Sequence, residues 1–352
     1  MKRSLLVAAT LFAWSGAALA AAPGDCKTTP ERQGMDSRAL ASAVRDLAAK
    51  KAGLHAVVAV RNGCVVFESY WPPYDRERKH YLNSATKAVL SALVGIAVHD
   101  GKLRLDDRVL SYFPDHASTD GDPRRDRITV EHLLTMSSGI RWPQTAAENA
   151  SDEMGRSGDW VRFILDRPMA AEPGSVTNYS NGDSHLLSAV LQKAVGATAF
   201  DFAKARLFAP LGIRDVAWDA DPQGHSIGSA ALQMRPVDMG KIGSLILGYG
   251  EWGAHRVLDR AWVEKSLHPH GKMPTRGGAA DYGYYWWLYP ERGLFEAWGG
   301  AGQRIGVFRD LGLVVAVTAD MPDDFPRSPF AAHLYDAIRG AVKSSPISTE
   351  KF

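Results

Sequence analysis

Cysteine is scarce in this 352-residue chain, which contains only Cys26 and Cys64. At most one disulfide can form, and neither cysteine lies in a metal-ligand pattern, so a scaffold built on several disulfides or on structural zinc is excluded. The sequence does not fix the distance between the two sulfur atoms. One bridge and two unpaired thiols therefore both stay open.

An excess of charge of one sign is also missing. The formal net charge is +2, and Lys2 and Arg3 in the first segment account for all of it. A chain that is neutral beyond this segment offers no electrostatic reason to expect nucleic acid or an anionic membrane as a partner.

Long apolar runs are absent after the first segment, so no later stretch approaches the ~20 residues that a membrane span requires. Residues 1–20 have the pattern of a signal peptide: Lys2 and Arg3, an apolar stretch from Leu5 to Trp14, and Ala18-Leu19-Ala20 as the cleavage site. We expect cleavage near Ala20, a periplasmic or secreted mature chain, and no stable membrane insertion afterwards. An uncleaved anchor is the alternative, because the apolar segment is nearly long enough to span.

Periodicity and turn residues predict strands near both ends of the chain and helices between them. The early strands are His55–Val60 and Cys64–Tyr70, joined by Arg61-Asn62-Gly63, because Asn-Gly tolerates the positive φ angles of a tight hairpin. Late strand signals cover Tyr282–Tyr289, Leu294–Trp298, Gln303–Phe308 and Gly312–Thr318. Helical signals cover Asp36–Lys51, a helix from Ser84 to Gly101 capped by Asn83, Thr129–Met136, Asp159–Leu165, Asp183–Val195, Phe200–Phe208, Pro236–Leu247, Asp259–Leu267 and Phe330–Val342.

This order predicts an α/β fold with one antiparallel sheet that is built from both chain ends, flanked by helices and interrupted by an inserted helical domain. A parallel doubly wound fold would need strands and helices to alternate throughout, and they do not. We expect a discontinuous sheet domain over 21–102 and 274–343, a mostly helical domain over 103–273, and a tail over 344–352.

Ser84 and Lys87 stand three residues apart at the start of an apolar helix, in the stretch "YLNSATKAVLSALVGIAV". Residues i and i+3 lie on the same face of a helix, so the hydroxyl and the amine can meet. A lysine whose pKa is depressed by burial can act as the base that activates a serine. The pattern alone is weak, since Ser348 and Lys351 repeat it at the C-terminus, where no scaffold is left to position them.

Further polar signals follow the Ser84 helix in order. Tyr179 and Asn181 lie on a loop ahead of a helix, and Trp298-Gly299-Gly300 ends a late strand, where glycine allows a close approach of the backbone to a substrate. A Ser-x-x-Lys motif, a short polar triplet and a glycine-containing strand edge, in this order, are typical of β-lactamases and penicillin-binding proteins.

Six stretches through nearly the whole mature chain extend this pattern: "LRLDDRVLSYFPD" (103–115), "ITVEHLLTMSSGI" (128–140), "PGSVTNYSNGD" (173–183), "LFAPLGI" (207–213), "YGYYWW" (282–287) and "WGGAGQRIGV" (298–307). With them the chain resembles the serine β-lactamase-related hydrolases, which include class C β-lactamases, D-alanyl-D-alanine carboxypeptidases and esterases. "TMSSGI", "YGYYWW" and "WGGAGQ" are most similar to the 6-aminohexanoate-dimer hydrolase branch. The resemblance implies a β-lactamase-like fold and catalysis through an acyl-enzyme.

The resemblance also implies a role for each matching residue. Ser84 would be the acylated nucleophile and Lys87 its base. Tyr179 would be a second base and the proton donor to the leaving group, and Asn181 would contact the substrate or Lys87. The oxyanion hole would consist of the backbone N–H groups of Ser84 and Ala301, the residue after Trp298, Gly299 and Gly300 in the substrate-binding strand.

One departure from the family pattern bears on the substrate. Trp298-Gly299-Gly300 stands where β-lactamases and carboxypeptidases have Lys-Thr-Gly, so the cation and the hydroxyl that receive a substrate carboxylate are missing. This favours an esterase or amidase acting on a small-molecule ester, amide or peptide-like substrate. A β-lactamase or D-alanyl-D-alanine carboxypeptidase is the alternative, in which another basic residue, such as Arg304, would replace the missing lysine. A non-catalytic relative that binds peptidoglycan or another ligand is an alternative of a different class, which the joint presence of Ser84, Lys87 and Tyr179 argues against.

Two other motifs indicate alternative functional sites. Residues 224–228, Gly-His-Ser-Ile-Gly, match the nucleophile elbow of α/β-hydrolases and would make Ser226 the nucleophile, but "WDADPQ" before it is no apolar strand. His268 and His270 could be metal ligands, but no third ligand stands at a suitable spacing, and a solvated loop is the better interpretation. We expect neither a metal nor a cofactor.

Overall fold

The computed structural model describes residues 26–50, 53–116, 121–145, 147–275, 278–321 and 329–343. The predicted signal peptide over 1–20 and the tail over 344–352, with the second Ser-x-x-Lys motif, lie outside the described residues. The predictions for these two segments are therefore not addressed by the structure.

Fourteen strands and ten α-helices are present in the described part of the chain. The strands are β1 (Cys26–Lys27), β2 (Leu54–Arg61), β3 (Cys64–Tyr70), β4 (His80–Tyr81), β5 (Val216–Trp218), β6 (Leu232–Met234), β7 (Glu251–Trp252), β8 (His255–Arg256), β9 (Gly271–Thr275), β10 (Gly278–Tyr282), β11 (Trp287–Tyr289), β12 (Leu294–Gly299), β13 (Gln303–Phe308) and β14 (Leu313–Ala319). The helices are α1 (Ser37–Lys50), α2 (Thr86–His99), α3 (Val130–Leu134), α4 (Ala150–Arg156), α5 (Trp160–Leu165), α6 (Asn181–Val195), α7 (Ala199–Ala203), α8 (Pro236–Leu247), α9 (Arg260–Ser266) and α10 (Pro329–Gly340).

The main sheet draws its strands from both ends of the chain, as the sequence predicts. Its nine strands run in the order β1-β3-β2-β14-β13-β12-β11-β10-β9. All neighbours are antiparallel except β1 and β3, which are parallel. The junction between early and late strands is the pairing of β2 with β14. The predicted α/β class with a sheet assembled from the two ends is confirmed.

The β2–β3 hairpin and the cysteines fix one edge of the sheet. Asn62 and Gly63 have φ angles of 48° and 78°, the positive values that the Asn-Gly turn predicts. Cys26 lies opposite Cys64 in the register of β1 and β3, and the two form a disulfide. Of the two states that the sequence left open, the structure has the bridge.

Helices cover both faces of the sheet. Gly243 of α8 packs on Ile305 and Val314, whereas Gly306 lies against Tyr335 of α10. Successive residues of a strand point to opposite faces, so Ile305 and Gly306 place α8 and α10 on opposite sides of β13. Helix α8 thus belongs to a layer that covers the sheet, although it falls within the segment 103–273 that the sequence assigns to the helical domain. Strand β9 of the sheet also begins before the predicted boundary at residue 274.

Several predicted elements differ from the structure. Asn83 does not cap the Ser84 helix: it has a φ of 47°, and its side-chain amide donates to the carbonyl oxygen of Gly300. The predicted strand Tyr282–Tyr289 is interrupted after Tyr282, where the chain turns with Tyr285 at a φ of 67°, and it resumes at Trp287. The strand β9 and the helix α4 were not predicted.

No single helix in the described ranges is long and apolar enough to cross a membrane. Helix α6, taken together with α7 and the π-helical turn Lys204–Phe208 that continues it, passes the same test of length and composition, but the pair is bent by 69°.

Candidate active site

Ser84 and Lys87 meet at the start of the central helix. Ser84 lies in a 3₁₀ turn, Asn83–Ala85, that runs directly into α2. The Nζ atom of Lys87 is 3.1 Å from the Oγ atom of Ser84. The i, i+3 spacing thus produces the hydrogen bond that the sequence predicts.

Within the described ranges the Lys87 amine has three hydrogen-bond partners, and none of them is charged. Besides Ser84, it donates to the Oδ1 atom of Asn181 and to the backbone carbonyl oxygen of Ser229, each at 2.8 Å. The residue is 1% exposed, and burial lowers its pKa well below the usual lysine value. A neutral amine has two N–H groups and one lone pair. The two carbonyl oxygens take both N–H groups, which leaves the lone pair to accept the Ser84 hydroxyl proton.

Tyr179 and Asn181 are held at the beginning of α6. Ser180 is the N-cap of this helix, because its hydroxyl accepts the backbone N–H of Asp183 at 2.9 Å. Asn181 presents its Oδ1 atom to Lys87 while its Nδ2 atom donates to the Ser151 hydroxyl at 2.9 Å. The second contact fixes which way the amide of Asn181 points.

The Tyr179 side chain lies over the same pair. Its hydroxyl is hydrogen-bonded with Ser84, and the Lys87 Nζ atom lies 4.9 Å from the centre of its ring. Burial raises the pKa of Tyr179 to about 12, and the Ser84 hydrogen bond opposes this only in part. Tyr179 therefore keeps its proton at neutral pH, which suits a proton donor better than a base in the resting enzyme.

The end of β12 lies directly against the Ser84 backbone. A Cβ atom added at Gly299 would be 2.1 Å from the carbonyl oxygen of Leu82 and 3.1 Å from the amide nitrogen of Ser84. The Asn83 amide holds the Gly300 carbonyl oxygen at 2.7 Å. Because the C=O and N–H of a trans peptide point in opposite directions, this contact orients the N–H of Ala301 away from Asn83. Ala301 itself has a φ of 63°, which turns the chain into β13.

An aromatic wall adjoins the tyrosine. The rings of Tyr179 and Trp287 are stacked with centres 6.1 Å apart, and Trp287 meets the half-buried Trp298 edge to face at 6.2 Å. Trp298 is thus connected to Tyr179 through one intervening ring. Its half-buried indole presents apolar surface next to these rings.

Arg304 does not replace the missing lysine. Its guanidinium is fully buried in the sheet and lies 2.6 Å from the Glu296 carboxylate, which also accepts the Tyr335 hydroxyl. A buried arginine engaged by a buried carboxylate is held in the core. The prediction that it could receive a substrate carboxylate is therefore not supported by its contacts.

One group of three buried side chains has the composition of a metal site: His185, Asp221 and His225. Both imidazoles lie 3.0 Å from the same Asp221 Oδ2 atom. Metal binding through His185 Nε2 would move the proton of the neutral ring to Nδ1, which is buried without a hydrogen-bond partner in the described ranges. When Nε2–H donates to Asp221 instead, the unpartnered Nδ1 atom carries only a lone pair, and no N–H group is buried without an acceptor. The cluster therefore fits a hydrogen-bonded network better than a metal site.

The competing motifs have structural partners of their own. Ser226 is 2% exposed, and its hydroxyl accepts the backbone N–H of Phe200 at 3.0 Å. His225 is bonded to Asp221 and not to this serine. His270 contacts the Lys265 carbonyl oxygen at 2.9 Å, and its ring stacks on Tyr284 with the ring centres 4.4 Å apart. The sequence predicts a solvated loop here, but the His270 side chain is packed against these neighbours.

Two residues of the site were not predicted from the sequence. Ser229 contributes a backbone carbonyl, which carries no signature in the side-chain pattern. Ser151 contacts Asn181 from the unpredicted helix α4. The one sequence signal for this loop is Gly228, next to Ser229. A Cβ atom added at Gly228 would lie 2.2 Å from the Ser184 carbonyl oxygen, so only glycine fits there.

A nucleophile and a buried base on one helix turn, beside a glycine-lined strand edge, define a serine hydrolase with a β-lactamase fold. A family model described as Beta-lactamase matches residues 31–338, so the chain belongs to this family. The resemblance predicted from the motifs is thereby confirmed.

Relatives of known name include two esterases. The chain is 28% identical to esterase EstB of Burkholderia gladioli over 277 residues, which cover 72% of this chain and 70% of the relative. It is 28% identical to lovastatin esterase of Penicillium rubens over 243 residues, 60% of each chain. Among solved structures, a protein described as a 6-aminohexanoate-dimer hydrolase from Bacillus anthracis has a TM-score of 0.71 at 21% identity, covering 84% of this chain and 80% of that one.

Proposed function

We propose that this hydrolase is an esterase that forms an acyl-enzyme at Ser84. The observation that carries the proposal is the set of contacts around Lys87, whose two N–H groups are taken by carbonyl oxygens so that its lone pair receives the Ser84 proton. The esterase names of two relatives support the choice of ester over other acyl compounds. Amide hydrolysis by the same site is a second outcome that the test below includes.

The reaction would proceed in two halves. Ser84 Oγ attacks the ester carbonyl carbon as its proton passes to Lys87 Nζ, and the resulting oxyanion is held by the N–H groups of Ser84 and Ala301. The C–O bond to the alcohol then breaks, Tyr179 supplies the proton to the departing alkoxide, and Lys87 passes the former serine proton on to Tyr179, so that both groups return to their resting protonation states. In the second half, water attacks the acyl-enzyme, releases the acid and returns the proton to Ser84.

The substrate class follows from charge and surface. A carboxylate entering a partly dry site loses hydration, and a cation-assisted hydrogen bond would return only about 1.5–3 kcal/mol of that free energy. Trp298-Gly299-Gly300 offers no such cation, and Arg304 is held by Glu296. Uncharged esters with an acyl or alkyl chain for Trp298 to contact are therefore the preferred substrates, ahead of penicillins.

The first experiment identifies the nucleophile and the preferred bond. Intact-mass measurement after treatment with a fluorophosphonate should show one adduct, which Ser84→Ala abolishes and Ser226→Ala, the matched buried serine, retains. Steady-state comparison should give a higher kcat/KM for p-nitrophenyl butyrate than for nitrocefin or a p-nitroanilide. Labelling that survives Ser84→Ala would overturn the assignment of Ser84 as the nucleophile. A higher kcat/KM for nitrocefin would show that the protein acts as a β-lactamase.

We also propose that the chain acts in the periplasm or outside the cell. The signal-peptide pattern over 1–20 supports this, and so does the disulfide between Cys26 and Cys64, because such bonds persist in oxidising compartments. N-terminal sequencing of the exported protein should give a start near Ala21.

A further inference from the structure

A single loop supplies one of the three contacts of the catalytic base. Residues 219–231 join β5 to β6, and within them the backbone carbonyl of Ser229 accepts a hydrogen bond from Lys87 Nζ at 2.8 Å. A backbone atom cannot be aimed by a rotamer choice. Its position relative to Lys87 depends on how the loop as a whole is held.

Asp221 is the centre of that loop. Its Oδ1 atom accepts the backbone N–H groups of Gln223 and His225, at 2.9 and 2.8 Å, which closes the loop on itself. Its Oδ2 atom accepts from the imidazoles of His185 and His225, both at 3.0 Å. Burial alone would raise the pKa of Asp221, but the hydrogen bonds from His185 and His225 outweigh it and hold the pKa below its usual value. The carboxylate is thus charged, buried and fully used in holding its neighbours.

His185 connects this loop to the second contact of the base. It lies one turn after Asn181 on α6, so a single helix presents Asn181 to Lys87 and His185 to Asp221. The loop also adheres to the same helix further along, where the Ser188 hydroxyl donates to the Ser226 carbonyl oxygen at 2.7 Å. The two carbonyl oxygens that orient the amine therefore belong to one connected unit.

We propose that Asp221, together with His185 and His225, is a positioning residue for Lys87. The inference rests on the proposed function, because it concerns the proton transfer from Ser84. The two acceptors fix both N–H directions of the neutral amine and with them its lone pair. When the Ser229 carbonyl is released, the amine can rotate about its last bond, and the lone pair is no longer aimed at the Ser84 hydroxyl.

The test measures the chemical step separately from folding. Phosphonylation of Ser84 by a fluorophosphonate forms an O–P bond, expels fluoride and passes the serine proton to Lys87, so its rate reports the base, while the final labelled fraction reports how many molecules are folded. Asp221→Ala should lower the labelling rate about 10- to 100-fold. The final fraction should stay near one adduct per chain, and KM for p-nitrophenyl butyrate should change little. Asp221→Asn should be intermediate, because its amide keeps part of the network.

The control is another buried carboxylate with no link to the loop. Asp238 on α8 is fully buried and paired with Arg235 at 2.7 Å, and Asp238→Asn should label at the parent rate. If Asp221→Ala does not give folded protein, His225→Ala decides the matter, since His225 lies at the edge of the cluster with 9% of its surface exposed.

The outcomes separate the two proposals. Parent-like labelling rates in Asp221→Ala, or in His225→Ala where that variant decides, would overturn the positioning role, as would a loss confined to the labelled fraction. Failure of the parent protein to label at Ser84 would instead overturn the proposed function, and the positioning role with it.

Discussion

The Lys87 amine has no charged hydrogen-bond partner among the residues that the structure describes. The side chain is almost completely buried, and its contacts are a hydroxyl, a side-chain amide oxygen and a backbone carbonyl oxygen. A buried ammonium without a carboxylate beside it is costly, so the neutral form is favoured. The same burial keeps Tyr179 protonated. One environment therefore places an amine that favours its neutral form beside a phenol that keeps its proton.

The pH dependence of ester hydrolysis follows from these two shifts. Below the lowered pKa of Lys87 the amine is protonated and cannot accept from Ser84, so kcat/KM should rise as pH increases through that pKa. Because the pKa lies well below that of a free lysine, the rise should be complete before about pH 10. Tyr179, with a pKa near 12, should not add an alkaline loss below that value. Initial rates in buffers of constant ionic strength measure the profile.

Lys87→Arg is the matching substitution, because a guanidinium does not give up its proton. It should lower kcat/KM by about 10²- to 10⁴-fold at every pH, while Lys193→Arg on the exposed side of α6 should leave the profile unchanged. A profile that still climbs steeply at pH 10, or an active Lys87→Arg enzyme, would mean that another group is the base.

The side chains of the site were easier to predict than its backbone. Ser84 and Lys87 follow from helical spacing, and their hydrogen bond is local. Asn83, predicted as a helix cap, instead donates to Gly300 in the turn that follows β12, because tertiary contact outweighs a local preference. The Ser229 carbonyl could not be predicted at all, since any residue type offers the same acceptor.

The strand β12 acts on the site through its closeness to the turn that carries Ser84. At Gly299 there is no room for even one more carbon atom, because an added Cβ would lie 2.1 Å from the Leu82 carbonyl oxygen. Gly299→Ala must therefore move β12 away from the Ser84 amide and widen the proposed oxyanion hole. We expect kcat to fall about tenfold or more for p-nitrophenyl butyrate, with a smaller change in KM.

Gly340→Ala is the control for this substitution, since an added Cβ at Gly340 meets nothing within 4 Å and the residue ends a helix far along the chain. It should keep the parent kcat. A Gly299→Ala enzyme with parent kcat would show that the strand does not shape the oxyanion hole.

Elements with strong periodicity were predicted well, and those shaped by neighbours were not. Helix α8 was predicted with its bounds, because its apolar positions repeat at helical spacing and Pro236 marks its first turn. The strand β9, "GKMPT", contains a proline and little alternation, and it is a strand only because β10 pairs with it at the sheet edge. The assignment of α8 to the sheet layer required the tertiary structure, since a sequence pattern does not say which surface a helix covers.

The whole sheet depends on joining the two ends of the chain, and the disulfide secures one edge of it. The bridge lies on β1 and β3, whereas Ser84 lies against β12, which is four strands from β3 and five from β1 in the sheet order. At about 4.8 Å per strand this separation is about 19 to 24 Å. The bridge should therefore matter for stability and not for the chemistry at Ser84.

The loop that the bridge closes spans 38 residues of sequence separation. Restricting a loop of this length in the unfolded chain corresponds to about 3–4 kcal/mol of free energy of unfolding. Replacing both cysteines, as Cys26→Ser with Cys64→Ser, should lower Tm on the order of 5–10 °C. At 25 °C the variant should keep the parent kcat for p-nitrophenyl butyrate, because the edge strand lies far from β12.

Parallel thermal melts and initial rates of the two proteins measure this. A variant with parent Tm would show that the edge strand is held by its neighbours alone, and a folded variant with impaired turnover at 25 °C would mean that the edge of the sheet is coupled to the site.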